Sequence, residues 1–114
     1  METVTHTGPA PVFDRDHLAR YTGADAELEA ELFGLLRDQA ERCVSAMQAA
    51  SEIYAWQAAA HTLKGAARGV GAFQLAEACE RAETASPGMW PAAVSEVRAA
   101  AKRTFDEIAR VLEA

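Results

Sequence analysis

Apolar residues recur at steps of three and four along nearly the whole chain, and the recurrence breaks only at brief connections rich in glycine, proline or serine. That pattern admits one secondary structure. A strand needs alternation at every second residue, and no segment shows it. Aromatic residues make up only 7% of the 114 residues, while Ala, Leu, Glu and Arg are abundant, so propensity points the same way. Half the residues are apolar, enough for one core, and the length favours one domain.

The breaks divide the chain into one short and four longer helical segments. Residues 1–12 hold two prolines, a glycine and three threonines and read as a mobile N-terminal tail; the helical bundle occupies 13–114. Asp14 suits a helix N-cap, Phe13 and Leu18 are spaced for a hydrophobic staple, and Gly23 suits the stop after Tyr21. Asp25 caps the second segment, where Glu27 and Glu29 favour the positive end of the helix dipole. Its expected seam is Leu28, Leu32, Leu36, Cys43, Met47 and Ala50, interrupted at Gly34.

Ser51 is the expected cap of the third segment, whose seam reads Trp56, Ala59, Leu63, Ala66 and Val70 before "GVG" at 69–71 ends it. The fourth begins near Ala72 and buries Leu75, Ala76, Cys79 and Ala82; "SPG" at 86–88 is a turn. Pro91 fits the first turn of the fifth, with Val94, Val97, Ala101, Phe105, Ile108 and Leu112 inward. Short connections favour antiparallel neighbours. The expected fold is all-α: an up-and-down antiparallel four-helix bundle with a short additional N-terminal helix. Alanine-rich seams bury little area per residue, so modest stability is expected.

Charge and composition exclude several functions. A net charge of −6 argues against nucleic acid or an acidic membrane surface as the main partner. No apolar run approaches the ~20 residues of a membrane span, and the first residues lack the basic and apolar regions of a signal peptide, so a cytoplasmic location is the expectation. Cys43 and Cys79 then read as free buried thiols, neither at metal-ligand spacing.

Chemistry concentrates on one face of the third segment. With about 100° per residue, His61 lies about 200° from Leu63 and points away from the core. Gln57, Lys64, Gly65 and Arg68 share its stripe. A glycine inside a helix costs roughly 1 kcal/mol relative to alanine. An outward glycine gains no core packing, but it clears the surface beside the imidazole. A histidine nucleophile, a clear approach and two cations suit the acceptance of a negatively charged phosphoryl group. No serine shares the His61 face, and His6 and His17 carry no motif. The chain also lacks a glycine-rich phosphate loop, so no ATP site is expected and the protein is not an autokinase.

The stretch "AHTLKG" at 60–65, followed by Gly71, Ala72, Leu75, Cys79 and Glu83, resembles the histidine-containing phosphotransfer (HPt) domains of two-component phosphorelays. The resemblance implies that His61 carries the phosphoryl group, Lys64 balances its charge and Gly65 keeps the approach open. Arg68 would add charge support. The family's ring-orienting residue on the next helix would be Glu83 or the nearby Glu80. Where the family often has a small hydroxyl residue after the glycine, this chain has Ala66. Residue 62 is Thr rather than the acidic residue of autophosphorylating dimerisation domains.

The implied activity is a relay, in which His61 takes a phosphoryl group from a receiver-domain aspartyl phosphate and passes it to another receiver aspartate. The implied partners are receiver domains of response regulators and hybrid histidine kinases. The protein is expected to be a monomer with no cofactor of its own, and Mg²⁺ would sit in the partner receiver. Leu18 and Leu35 are the docking residues the sequence suggests. Two other readings stay open: the phosphoaccepting module of a chemotaxis-type kinase, and a helical adaptor that binds a response regulator or kinase without chemistry.

Overall fold

The computed structural model describes residues 10–113. Five α-helices follow one another: α1 (Arg15–Thr22), α2 (Ala26–Ala49), α3 (Ile53–Val70), α4 (Phe73–Glu83) and α5 (Trp90–Glu113), with a single 3₁₀ turn at Pro87–Met89 before α5. α2 and α4 each pack against both α3 and α5, which closes a ring of four helices, while α1 leans on α2 and α3. The architecture is the all-α bundle with a short first helix that the periodicity predicts.

Local chemistry sets the helix ends. The Asp14 carboxylate accepts from the His17 amide and Asp25 accepts from the amides of Glu27 and Leu28, as expected of N-caps. Gly23 ends α1 in the left-handed region. The third helix runs one residue past Gly69 and closes at Gly71, whose φ is 87°. There the Ala72 amide donates to the Ala67 carbonyl (2.9 Å) and the Gly71 amide to that of Arg68 (3.2 Å), a Schellman closure. Gly71 is needed twice over. A Cβ at that position would lie 2.6 Å from the Asp14 carbonyl oxygen, and the Asp14 amide donates to the Gly71 carbonyl at 2.9 Å. This close approach fastens the start of α1 to the α3–α4 turn.

Several sequence expectations shift by a residue. The buried face of α2 is Glu29, Phe33, Leu36, Ala40, Cys43 and Met47, an alternation of four and three, whereas Leu28 is exposed and Leu32 and Ala50 are half-buried. In α3 the buried set is Trp56, Ala59, Ala60, Leu63, Ala67 and Val70, and Ala66 is half-buried. Alanine seams carry little contrast, so periodicity alone puts the stripe slightly off its axis. Ser51 does not cap α3. The chain leaves α2 extended at Ala50, and Glu52 takes the cap position without a side-chain hydrogen bond. In α5, Ala100 and Thr104 are buried, the Thr104 hydroxyl donating to the Ala100 carbonyl; Val94 and Phe105 are half-buried and Leu112 is exposed.

Of the segment read as a tail, residues 1–9 lie outside the described residues. Residues 10–12 do not behave as a tail. The Ala10 carbonyl accepts from the Gln74 side chain and the Pro11 carbonyl from the Gln74 amide, so this stretch lies along the start of α4. Leu18, suggested as a docking residue, is 1% exposed and belongs to the core.

Polar groups inside the bundle are matched. Glu29 is the only fully buried carboxylate among the described residues; its two oxygens accept from Arg15 and from the Thr22 hydroxyl, each at 3.2 Å. The latch ties α1 to α2.

Candidate functional site

His61 projects from the outer face of α3 with 68% of its side chain exposed. Its backbone neighbour Ala60 is fully buried, so the helix is anchored directly behind the ring. Glu83, the last residue of α4, reaches across from the adjacent helix. One of its oxygens lies 3.0 Å from His61 Nδ1 and the other 2.6 Å from Lys64 Nζ. Glu83 is 23% exposed and Lys64 only 13%, so the pair sits at the floor of the site while the imidazole stands above it.

The proton on the ring follows from these partners. The ammonium of Lys64, more than the His61 contact, holds the Glu83 carboxyl below its ordinary range, against the opposing effect of burial. At neutral pH it is ionised and can only accept hydrogen bonds. The 3.0 Å contact therefore requires the proton on Nδ1. In the neutral ring, the lone pair is then on Nε2, the nitrogen turned away from Glu83.

Lys64 differs from its expected place. It lies mostly tucked against the protein and is paired with Glu83, where the wheel predicts an outward cation. Glu80 does not touch the ring; it faces Arg68 across an exposed 3.4 Å contact. Arg68 itself is two turns from His61, about 10 Å along the helix. The structure thus brings together His61, Lys64 and Glu83, and leaves Arg68 and Glu80 as a separate surface pair. At Gly65 a Cβ would meet nothing within 4 Å, so no packing demand explains the glycine.

Beside Gly65, the residues Leu32, Leu35, Leu36, Gln39, Ala66 and Val70 line an apolar groove of about 230 Å³ between α2 and α3. Leu35 is 59% exposed there.

The sulfur at this end of the bundle is inert. Cys79 lies one turn before Glu83, fully buried, and its thiol is pushed up to about 12, by burial first and by the nearby Cys43 and Glu83 next. It is protonated at neutral pH and is not a nucleophile. Among the described residues no group of three His, Cys, Asp or Glu side chains is placed to hold a metal ion, and no helix is long and apolar enough to cross a membrane.

Two residues named for their faces alone have a further part in this geometry. Trp56 reads as a seam residue and Gln57 as surface, yet their side chains donate to the carbonyls of Ala82 and Glu83. The available signal was their position one turn ahead of His61, on the flank that meets α4.

The family model described as "Hpt domain" matches residues 30–112, from early in α2 to the end of α5, and leaves α1 outside. No curated protein and no solved structure matches the chain. With a bundle of this architecture, an exposed histidine held by a carboxylate from the next helix, and a family model covering most of its length, the chain belongs to the Hpt domain family, the phosphotransfer domains of two-component signalling.

Proposed function

We propose that this protein is a phosphorelay intermediate in which His61 accepts a phosphoryl group from the aspartyl phosphate of one receiver domain and delivers it to the aspartate of another. Nε2 attacks phosphorus in line; the N–P bond forms as the bond from phosphorus to the aspartyl oxygen breaks, and the donor carboxylate leaves. The ring keeps its Nδ1 proton and gains positive charge, which the Glu83 carboxylate faces directly. Delivery is the same displacement in reverse, with the second receiver's carboxylate as nucleophile.

Most of what phosphoryl transfer requires is position and charge. Glu83 orients the ring and fixes its tautomer. Lys64 keeps Glu83 ionised and offsets its charge, so the incoming phosphoryl group does not meet an unscreened carboxylate. Gly65 leaves room for the receiver to approach the ring. Leu35 and the α2–α3 groove give the receiver an apolar surface to dock on. Mg²⁺ belongs to the receiver in this reading.

The observation that carries the reading is the held imidazole: Nδ1 bound to Glu83 at 3.0 Å, with the ring otherwise open on a face cleared at Gly65. A structural histidine or an adaptor surface needs neither the fixed tautomer nor the clearing. Incubation with a phosphorylated receiver domain should label the protein with an acid-labile, base-stable phosphate, and His61→Gln should abolish the label. Label retained in that variant would remove His61 as acceptor, and no label in the wild type with any receiver of the host would favour the adaptor.

A further inference from the structure

Glu83 is held at its side chain by Lys64 and His61, but its backbone is held as well, and by side chains. A helix leaves its last carbonyls without partners. α3 solves this with Gly71. α4 has no such glycine: Thr84 follows it at φ −100° and ψ 1°, outside the left-handed region. Its terminal carbonyls are taken by other means. That of Arg81 accepts from the Thr84 hydroxyl at 3.3 Å. That of Ala82 accepts from the Ala85 backbone amide at 3.1 Å and, in addition, from the Trp56 indole N–H at 2.6 Å, and that of Glu83 accepts from the Gln57 side-chain amide at 3.4 Å.

Trp56 and Gln57 precede His61 on α3 by five and four residues. The connections therefore close on themselves. α3 carries His61, the ring contacts the Glu83 carboxylate, and the backbone of Glu83 and its neighbour returns to α3 through Gln57 and Trp56. Trp56 is 1% exposed and stacks face to face on Trp90, with centroids 4.6 Å apart and planes 6° apart. Trp90 in turn donates to the Ala85 carbonyl at 3.2 Å. The donor is thus fixed from behind, on the far side of the same helix end.

We propose that Trp56 and Gln57 are positioning residues for the site: by gripping the last carbonyls of α4 they set where Glu83 meets His61, and so the tautomer of the ring. The proposal rests on the reading of His61 as phosphoacceptor for its functional consequence. A plain core role would require only the area of the indole. Positioning requires its N–H, because a movement of Glu83 by roughly 0.5 Å takes a 3.0 Å contact to the edge of the hydrogen-bonding range.

The test uses the full chain. Trp56→Phe keeps an aromatic ring but removes the donor and part of the indole's area, so Gln57→Leu, which removes the second donor at a half-buried position, is the cleaner variant, and Gln57→Lys keeps an N–H donor. The ¹⁵N shifts of the His61 ring in the unphosphorylated protein report the tautomer. The wild type should show a dominant Nδ1–H form. Trp56→Phe should move both shifts toward the mixed form of free imidazole and slow transfer from a phosphorylated receiver by about threefold to tenfold. Gln57→Leu should do the same to a smaller extent with little change in melting temperature, and Gln57→Lys should behave as wild type. A wild-type tautomer and rate in folded Trp56→Phe, or in Gln57→Leu if Trp56→Phe fails to fold, would overturn the proposal. The tautomer measurement stands apart from the acceptor assay: if His61→Gln still takes label, the acceptor reading fails while the positioning result remains.

Discussion

Two carboxylates in this bundle are built alike and do different work. Glu29 gives one oxygen to Arg15 and the other to Thr22; Glu83 gives one to Lys64 and the other to His61. Each joins two helices through a cation and a second donor. Glu29 is fully buried and both of its oxygens are taken, so it is a latch holding α1 on α2. Glu83 is part-exposed, and one of its partners is a ring that stands in solvent. The same device becomes structural where water is excluded and becomes chemical where one leg can react. Access, more than the pairing itself, separates the two.

Glu29→Ala offers the largest expected effect on this contrast. It leaves the Thr22 hydroxyl, which still accepts from the Ala24 amide, to donate only across a 3.4 Å contact to the Leu18 carbonyl, and it releases half-exposed Arg15. Stability should fall by about 2 kcal/mol, seen as a drop of roughly 10 °C in melting temperature. Phosphotransfer by the folded fraction should stay near wild type. A large loss of transfer with intact stability would mean that the latch, too, serves the site.

Glu83→Ala should show the opposite profile. Loss of one charged hydrogen bond to the ring predicts transfer slower by about tenfold, or ~1.4 kcal/mol, with a smaller change in stability. Glu83→Gln retains an acceptor oxygen and should recover most of the rate. The pH dependence has a definite sign. Because the folded protein holds the Glu83 carboxyl below its ordinary value of 4.5, its contribution to stability is complete above about pH 4.5 and is lost as pH falls through the lowered folded value. Denaturation of wild type and Glu83→Ala should therefore differ at pH 6 and converge in strong acid. A difference that grows on acidification would contradict the Lys64–Glu83 account.

Gly65→Ala sharpens the role of access and should have the smallest effect. The added methyl meets nothing in the protein, and the exchange of glycine for alanine in mid-helix should raise stability by about 1 kcal/mol. Transfer should slow by a few-fold, because the methyl stands where the receiver approaches. A stabilised variant with unchanged transfer would show that the glycine does not serve access.

The comparison also shows what a sequence can reveal. Helix number and order were legible because leucine, valine and tryptophan recur with a clear period, and because Asp14, Asp25 and Gly71 mark helix ends by their own chemistry. The exact buried face was less so. Ala60, Ala66 and Ala67 look alike in sequence, and only the packing of α2 and α4 against α3 decides which are covered. Glu29 read as a residue suited to a helix start; its burial depends on Arg15 and Thr22, which reach it only once α1 folds back. Helical spacing placed His61, Lys64 and Gly65 on one stripe, and the resemblance of "AHTLKG" to the phosphotransfer motif gave that stripe its chemistry. The choice between Glu80 and Glu83 could not: they are three residues apart on one helix, and which one meets the ring depends on how α4 is rotated against α3. The last turn of α4 also accepts hydrogen bonds from Trp56 and Gln57, whose partners are backbone atoms and leave no mark in the sequence.

The central claim is that His61 carries the phosphoryl group on the nitrogen that Glu83 leaves free. The direct measurement is nuclear magnetic resonance of the ¹⁵N-histidine-labelled protein after transfer from a phosphorylated receiver, reading which ring nitrogen is bonded to phosphorus. The account predicts phosphorus on Nε2 of His61 with the proton retained on Nδ1. Phosphorus on Nδ1, or on any other residue, would contradict it.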